Sequence, residues 1–133
     1  MSILSPLSRW RIALLLWMGV IFALTSIPAT SSDTTEQVFG LFNYLVRKSA
    51  HLTEYAILGI LWYASIAGGL REWRPRTARL AWLLTALYGL SDEIHQSFVP
   101  NRSSSLNDVV LDAAGALIGL LLLRSKTRKA CVL

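Results

Sequence analysis

The chain has 133 residues, 53% of them hydrophobic and 16% charged, with five Trp and a net charge of +5. A soluble domain carries about 25% charged residues, so the composition excludes an ordinary soluble protein, and the length allows one domain. The basic residues cluster at the ends of apolar segments, where membrane topology explains them, and this excludes a nucleic-acid-binding surface.

Residues 1–11 carry Arg9 and Arg11 and no acid. Residues 12–27 are uncharged and read either as a first membrane helix anchored by Trp10 or as a cleaved signal. A retained helix is preferred, because the following segments then take a consistent topology. Pro28 ends it, and Ser31, Ser32 and Asp33 offer caps for a short helix around 34–46. The apolar residues of that helix (Val38, Leu41, Phe42, Leu45) follow helical spacing and suit the membrane surface. The second span covers 48–70, with Lys48, His51 and Glu54 in its outer turns. A short basic loop, 71–79, leads to the third span, 80–98, which closes on Asp92, Glu93, His95 and Gln96. Pro100 and Asn101 mark a turn. Ser103, Ser104, Ser105 and Asn107 offer N-caps for the fourth span, 106–123. The basic tail, 124–133, reads as unstructured and holds the single cysteine, Cys131, which permits neither an internal disulfide nor a cysteine metal site.

These elements predict an all-α polytopic membrane protein. It has four transmembrane helices and a short interfacial helix after the first span. Residues 1–123 form one domain and 124–133 a cytoplasmic tail. Four spans put ten basic residues on one side and three (Arg47, Lys48, Arg102) on the other. Lys and Arg stay cytoplasmic, so both termini are expected inside, in a bacterial cytoplasmic membrane. Every acid except Glu72 then falls on the outer side, and three segments bring polar groups to one depth. Ionisable groups at membrane depth are expensive and are usually kept for a reason.

On the second span, His51, Glu54, Tyr55 and Leu58 share one helical face, with Lys48 one turn earlier. They read as a His–carboxylate pair for proton transfer or ion binding, or as a local helix pair below a snorkelling lysine. On the fourth, Asp108, Asp112, Gly115 and Gly119 fall within about 40° of one another. Gly115 and Gly119 let another helix approach and so turn the aspartates inward. On the third, Asp92 and Gln96 share a face that Tyr88 extends, whereas Glu93 and His95 turn away. Arg102 is the expected cation for these acids, or a bidentate clamp for a phosphate or carboxylate ligand. A divalent cation suits the carboxylates, although no spacing is diagnostic. The serines at 103–105 read as caps and turn residues rather than as a nucleophile.

Lys48-x-x-His51-x-x-Glu54-Tyr55 resembles the first motif of the VanZ-like family. Asp92-Glu93-x-His95-Gln96-x-Phe98-x-Pro100-x-Arg102, followed by Asp108-x-x-x-Asp112-x-x-Gly115-x-x-x-Gly119, resembles the second. The resemblance covers roughly residues 1–123, and one departure is Asn101, where the family often has Gly. It implies a small bacterial integral membrane protein of a family named for teicoplanin resistance, and it supplies no agreed chemistry.

The sequence therefore predicts a cell-envelope protein with an outward-facing polar pocket. Lys48, Tyr55, Gln96, Arg102, Asp108 and Asp112 would bind an anionic lipid or a lipid-linked cell-wall precursor. The alternative is an enzyme acting on a lipid phosphate or lipid-linked sugar. In it, His51 or Glu54 serves as acid or base, and Asp92 and Glu93 hold a cation or position water. A third reading is a structural lock between helices.

Overall fold

Among the described residues, 5–28 and 33–130, the chain forms four helices and no strand in this computed structural model. They are α1 Pro6–Ser26, α2 Asp33–Ala67, α3 Pro75–Gln96 and α4 Leu106–Ala130. Ser5 caps α1 by accepting the Ser8 N–H at 3.2 Å, and Pro6 occupies the first turn, where its missing N–H is harmless. Ile27 is extended, as a residue before proline prefers, so α1 stops there. Pro75 opens α3 in the same way. After α3 the chain turns through Asn101 at φ 59°, a left-handed conformation that Asn tolerates.

Two expectations are corrected. The short interfacial helix does not exist as a separate element: residues 34–46 are the first part of the 35-residue α2. No proline lies between 33 and 67, so nothing breaks the helix before Lys48. Leu41, Phe42 and Leu45 are exposed on it; the Val38 side chain, Ser31 and Ser32 lie outside the described residues. Likewise, the tail is helical as far as Ala130, with Arg124, Lys126 and Arg128 exposed. Cys131 lies outside the described residues.

The helices alternate in direction, so α2 and α4 run parallel. Lys48 meets Asp108, and further along Leu52 meets Gly115 and Ala56 meets Gly119. This is the most extensive helix pair in the bundle. An added Cβ at Gly115 would lie 2.5 Å from the Leu52 carbonyl oxygen, and one at Gly119 would overlap that of Ala56. Aromatic donors tie three of the other helix pairs to backbone carbonyls. Trp17 Nε1 donates to Glu54 O at 3.0 Å, Tyr88 to Met18 O at 2.7 Å and Trp82 Nε1 to Ala113 O at 2.9 Å.

The distribution of polarity is inverted relative to a soluble bundle. Leu15 and Leu16 on α1, Leu87 on α3 and Leu122 on α4 are more than half exposed, whereas Thr25, Thr85, Asp92, Gln96 and Asp112 are buried. An apolar exterior around a polar interior suits lipid surroundings. Two helices, Leu7–Ser26 and Leu106–Arg128, are long and apolar enough to cross a membrane. Helices α2 and α3 are long enough but not sufficiently apolar: α2 carries Lys48 and Glu54, and α3 carries Arg76, Arg79, Asp92 and Glu93. Two of the four predicted spans are therefore supported by composition.

Gly115→Ala should destabilise the detergent-solubilised protein, because overpacking of about 1–3 kcal/mol exceeds the gain in helix propensity. Gly19 has nothing within 4 Å of an added Cβ, so Gly19→Ala should be neutral or stabilising by up to about 1 kcal/mol. Thermal unfolding of the two variants side by side checks this. Equal midpoints would refute the close approach of α4 to α2.

Candidate functional site

The residues of the two sequence motifs converge at one end of the bundle, opposite to the end that holds the α2–α3 loop and the start of α1. Four carboxylates organise this cluster, each reached by a different set of helices.

Asp92 is 4% exposed and receives donors from three helices. The Thr25 hydroxyl of α1 donates to Oδ1 at 2.7 Å. On Oδ2, Tyr55 of α2 donates at 3.3 Å and Gln96 Nε2, one turn along α3, at 2.9 Å. Both carboxylate oxygens are thus satisfied, which is how a buried carboxylate is tolerated. Neighbouring Glu93, equally buried, points elsewhere. Its Oε2 accepts the Ser105 N–H at 2.9 Å, at the start of α4, where a negative charge is favoured by the helix dipole. The other oxygen, Oε1, is buried with no partner among the described residues.

Asp112 is fully buried, and its Oδ1 lies 3.3 Å from His51 Nδ1. Its Oδ2 also has no partner among the described residues. That oxygen sits beside Gly89 of α3, where an added Cβ would come within 3.2 Å of both Asp112 Oδ2 and Tyr55 Cε1. Gly89 therefore leaves the space that the carboxylate and the phenol ring fill. One turn earlier on α4, Asp108 pairs with Lys48, whose ammonium also lies 5.4 Å from the Tyr44 ring centroid. The His51 and Tyr55 rings stack at 6.5 Å, so α2 presents Lys48, His51 and Tyr55 as successive turns of one face.

Two expectations change in detail. The carboxylate partner of His51 is Asp112 of α4, not Glu54 of its own helix. Glu54 is half-buried, and among the described residues its side chain has no hydrogen bond or ion pair. Arg102 is not paired with the acids. Its Nε donates to Ile27 O at 2.9 Å and its Nη2 to Leu24 O at 3.1 Å, so it closes the C-terminal end of α1. The last carbonyls of a helix lack intrahelical donors and carry partial negative charge, which a guanidinium fits. As helical spacing expects, His95 turns away from Asp92; it stacks on Phe22 at 4.6 Å, with Nε2 3.0 Å from Ser26 Oγ.

Sequence reasoning missed Thr25, Ser26 and Gly89, and it read Ser105 as a cap without its N–H contact to Glu93. A hydroxyl pair at the end of an otherwise apolar segment was the available signal for the first two. Gly89, one turn before Asp92 on the same helix, was the signal for close packing. Glycines Gly115 and Gly119 set the α2–α4 distance that lets His51 and Asp112 meet.

The cluster offers carboxylate oxygens in excess of donors. Five acids (Glu54, Asp92, Glu93, Asp108, Asp112) share one paired lysine, Lys48, and one histidine, His51, while Arg102 is engaged by the carbonyls of α1. It can accept hydrogen bonds from a ligand, and His51, oriented by a buried carboxylate, can take or give a proton through its other nitrogen. No group of three or more His, Cys, Asp or Glu among the described residues is arranged to hold a metal.

The family model described as VanZ/LLP1 matches residues 10–127. No match was found among curated proteins or among solved structures.

Arg102→Gln should loosen the end of α1 and leave the Asp92 network in place. In hydrogen–deuterium exchange, peptides covering residues 22–28 should then exchange faster and those covering 92–96 should not. Faster exchange confined to 92–112 would show that Arg102 serves the acids after all.

Proposed function

The chain belongs to the VanZ/LLP1 family, and from that premise we propose that it is a cell-envelope membrane protein whose acidic end binds the head of a lipid or lipid-linked precursor. All four helices cross the membrane in this reading, with both termini on the cytoplasmic side. The acidic cluster then lies at the outer water boundary. Residues 1–123 form the membrane domain, and the basic end of α4 projects into the cytoplasm.

The observation that carries the reading is the pair of buried, unpartnered carboxylate oxygens, Asp112 Oδ2 and Glu93 Oε1. A buried acceptor without a donor raises the free energy of the empty site by about 1–3 kcal/mol. A ligand that brings hydroxyl, amide or amine donors recovers that energy on binding. Sugar hydroxyls and peptide amines of lipid-linked wall precursors are groups of that kind. Lys48 and Arg102 are already engaged by Asp108 and the α1 carbonyls. Only their remaining N–H groups can meet a phosphate, so anion capture is secondary here. The family name connects such a protein with glycopeptide susceptibility, because teicoplanin acts on lipid-linked wall precursors outside the membrane.

One observation favours a second reading, an enzyme of lipid-linked substrates. His51 is held by Asp112, with its side chain 15% exposed while Asp112 is fully enclosed. A histidine oriented by a buried carboxylate is equipped for general acid–base catalysis. Glu54, on the same face, would be the second proton carrier.

Both readings meet in one experiment. Purified protein, Asp112→Asn and His51→Gln are each incubated with a polar lipid extract and analysed by mass spectrometry. Binding predicts a lipid-linked species retained by the wild type and reduced at least about tenfold in a folded Asp112→Asn protein, the loss of one charge-assisted contact. Turnover predicts a new mass that grows with time and disappears in His51→Gln. Retention of nothing and conversion of nothing by the wild type would sink both readings.

A further inference from the structure

The end of the bundle opposite to the acidic cluster holds a cavity of about 610 Å³ between the first turns of α1 and the α2–α3 loop. Its walls include Arg9 and Trp10 of α1 and Gly69, Arg71, Glu72 and Arg74 of the loop. We infer that this cavity is a binding site for an anionic phosphate group, with the phosphate of a membrane phospholipid as the expected source.

Charge comes first. Three arginines face one glutamate, and that glutamate is engaged: Glu72 Oε2 lies 3.1 Å from Arg74 Nη2. Arg9 and Arg71 have no acid within ion-pair distance among the described residues. Arg9 and Arg71 line the same cavity, so their guanidiniums are available to a bidentate acceptor such as phosphate that enters it.

The cavity is also built rather than incidental. The loop that forms half of it is short and pinned. Tyr63, fully buried in α2, donates its hydroxyl to the Glu72 carbonyl, and the Tyr63 hydroxyl oxygen accepts the Arg74 N–H at 2.7 Å. Its ring stacks on Trp73 at 5.5 Å and 11°. Gly68 (φ 77°) and Gly69 (φ 154°) supply the reversal that lets α2 end and the loop fold back. Arg71 and Arg74 are thereby held on a fixed backbone.

Its position selects the ligand. Arg9 and Trp10 stand where the apolar run of α1 begins, the depth at which aromatic and basic side chains meet lipid head groups. A volume of this size suits a glycerophosphate head rather than a bare ion. The competing explanation is that these arginines only mark the cytoplasmic side and are solvated. That explanation gives no weight to which arginines line the cavity. Arg76 and Arg79, near the start of α3 at the same end, are not among its lining residues, and so they separate the two accounts.

The full chain in detergent is titrated with short-chain phosphatidylglycerol below its micelle concentration and followed by native mass spectrometry. Parallel titrations use short-chain phosphatidylcholine, glycerol 3-phosphate and inorganic phosphate. Phosphatidylglycerol should bind in preference to phosphatidylcholine. Arg9→Gln/Arg71→Gln should weaken it at least about tenfold, and Arg76→Gln/Arg79→Gln, with the same change in net charge, should alter it by less than about twofold. Thermal unfolding confirms that each variant is folded. If the pocket double variant is not, Arg71→Gln alone, on the exposed loop, is held to the same threshold. Equal binding of glycerol 3-phosphate or inorganic phosphate, lost in the same variant, keeps the site and makes its ligand soluble. The proposal is overturned if no anionic phosphate binds better than phosphatidylcholine, or if both double variants lose equally.

Discussion

At Gly115 and Gly119 the backbone of α4 comes so near Leu52 and Ala56 of α2 that no side-chain carbon fits between them. This contact fixes the register of the two parallel helices. Asp112 is one turn before Gly115, and His51 is next to Leu52, so the pair that carries the candidate chemistry meets because the glycines set the distance. One turn further out the same register brings Lys48 to Asp108. A bulkier residue at either glycine would move every polar pair on the α2–α4 seam together.

Helix α3 completes the arrangement from the other side. Gly89 admits Asp112 and Tyr55, and Asp92 then takes the Tyr55 hydroxyl on the oxygen that it shares with Gln96. Tyr55 is thus the joint between two carboxylate centres: its ring stacks with His51 and its oxygen serves Asp92. Helix α1 is attached by a few directed contacts, namely Thr25 to Asp92, Trp17 and Tyr88 across to backbone carbonyls, and Arg102 on its last turn. In an apolar solvent such donors have few competing partners, so they are natural fasteners for a helix whose leucines face outward.

Much of this was legible in the sequence, for identifiable reasons. Helical spacing alone put Lys48, His51 and Tyr55 on one face and Asp108, Asp112, Gly115 and Gly119 on another, and backbone geometry makes that inference safe. The separation of Asp92 from Glu93 followed from the same 100° rule. What was hidden is which faces meet. His51 could be assigned to Glu54 by spacing, but only the α2–α4 crossing shows that Asp112 is nearer. Arg102 looked like a partner for acids because unlike charges attract at any distance. Its actual partners, the carbonyls at the end of α1, are present at every helix end and leave no mark in the sequence. The unbroken α2 was missed for a similar reason: capping residues signal where a helix can start, and Lys48 was read as a boundary where the backbone needs none.

The acidic cluster is hard to explain as a device for stability. A charged side chain at membrane depth costs about 2.5–3.5 kcal/mol on insertion scales, and a buried ion pair is often matched or exceeded by well-packed apolar residues of similar size. A helix lock could therefore be made more simply from leucines on the α2–α4 seam, where Gly115 and Gly119 already provide close contact. A lock would also leave no loose ends. Asp92, satisfied on both oxygens, fits that role, but Asp112 and Glu93 each keep one buried oxygen without a donor. These two oxygens lie on different helices, α4 and α3, at the same end of the bundle. Residues that only hold helices together should be saturated by the helices they hold. The proposed ligand reading accounts for residues left half-satisfied at one end of the bundle, and a lock does not.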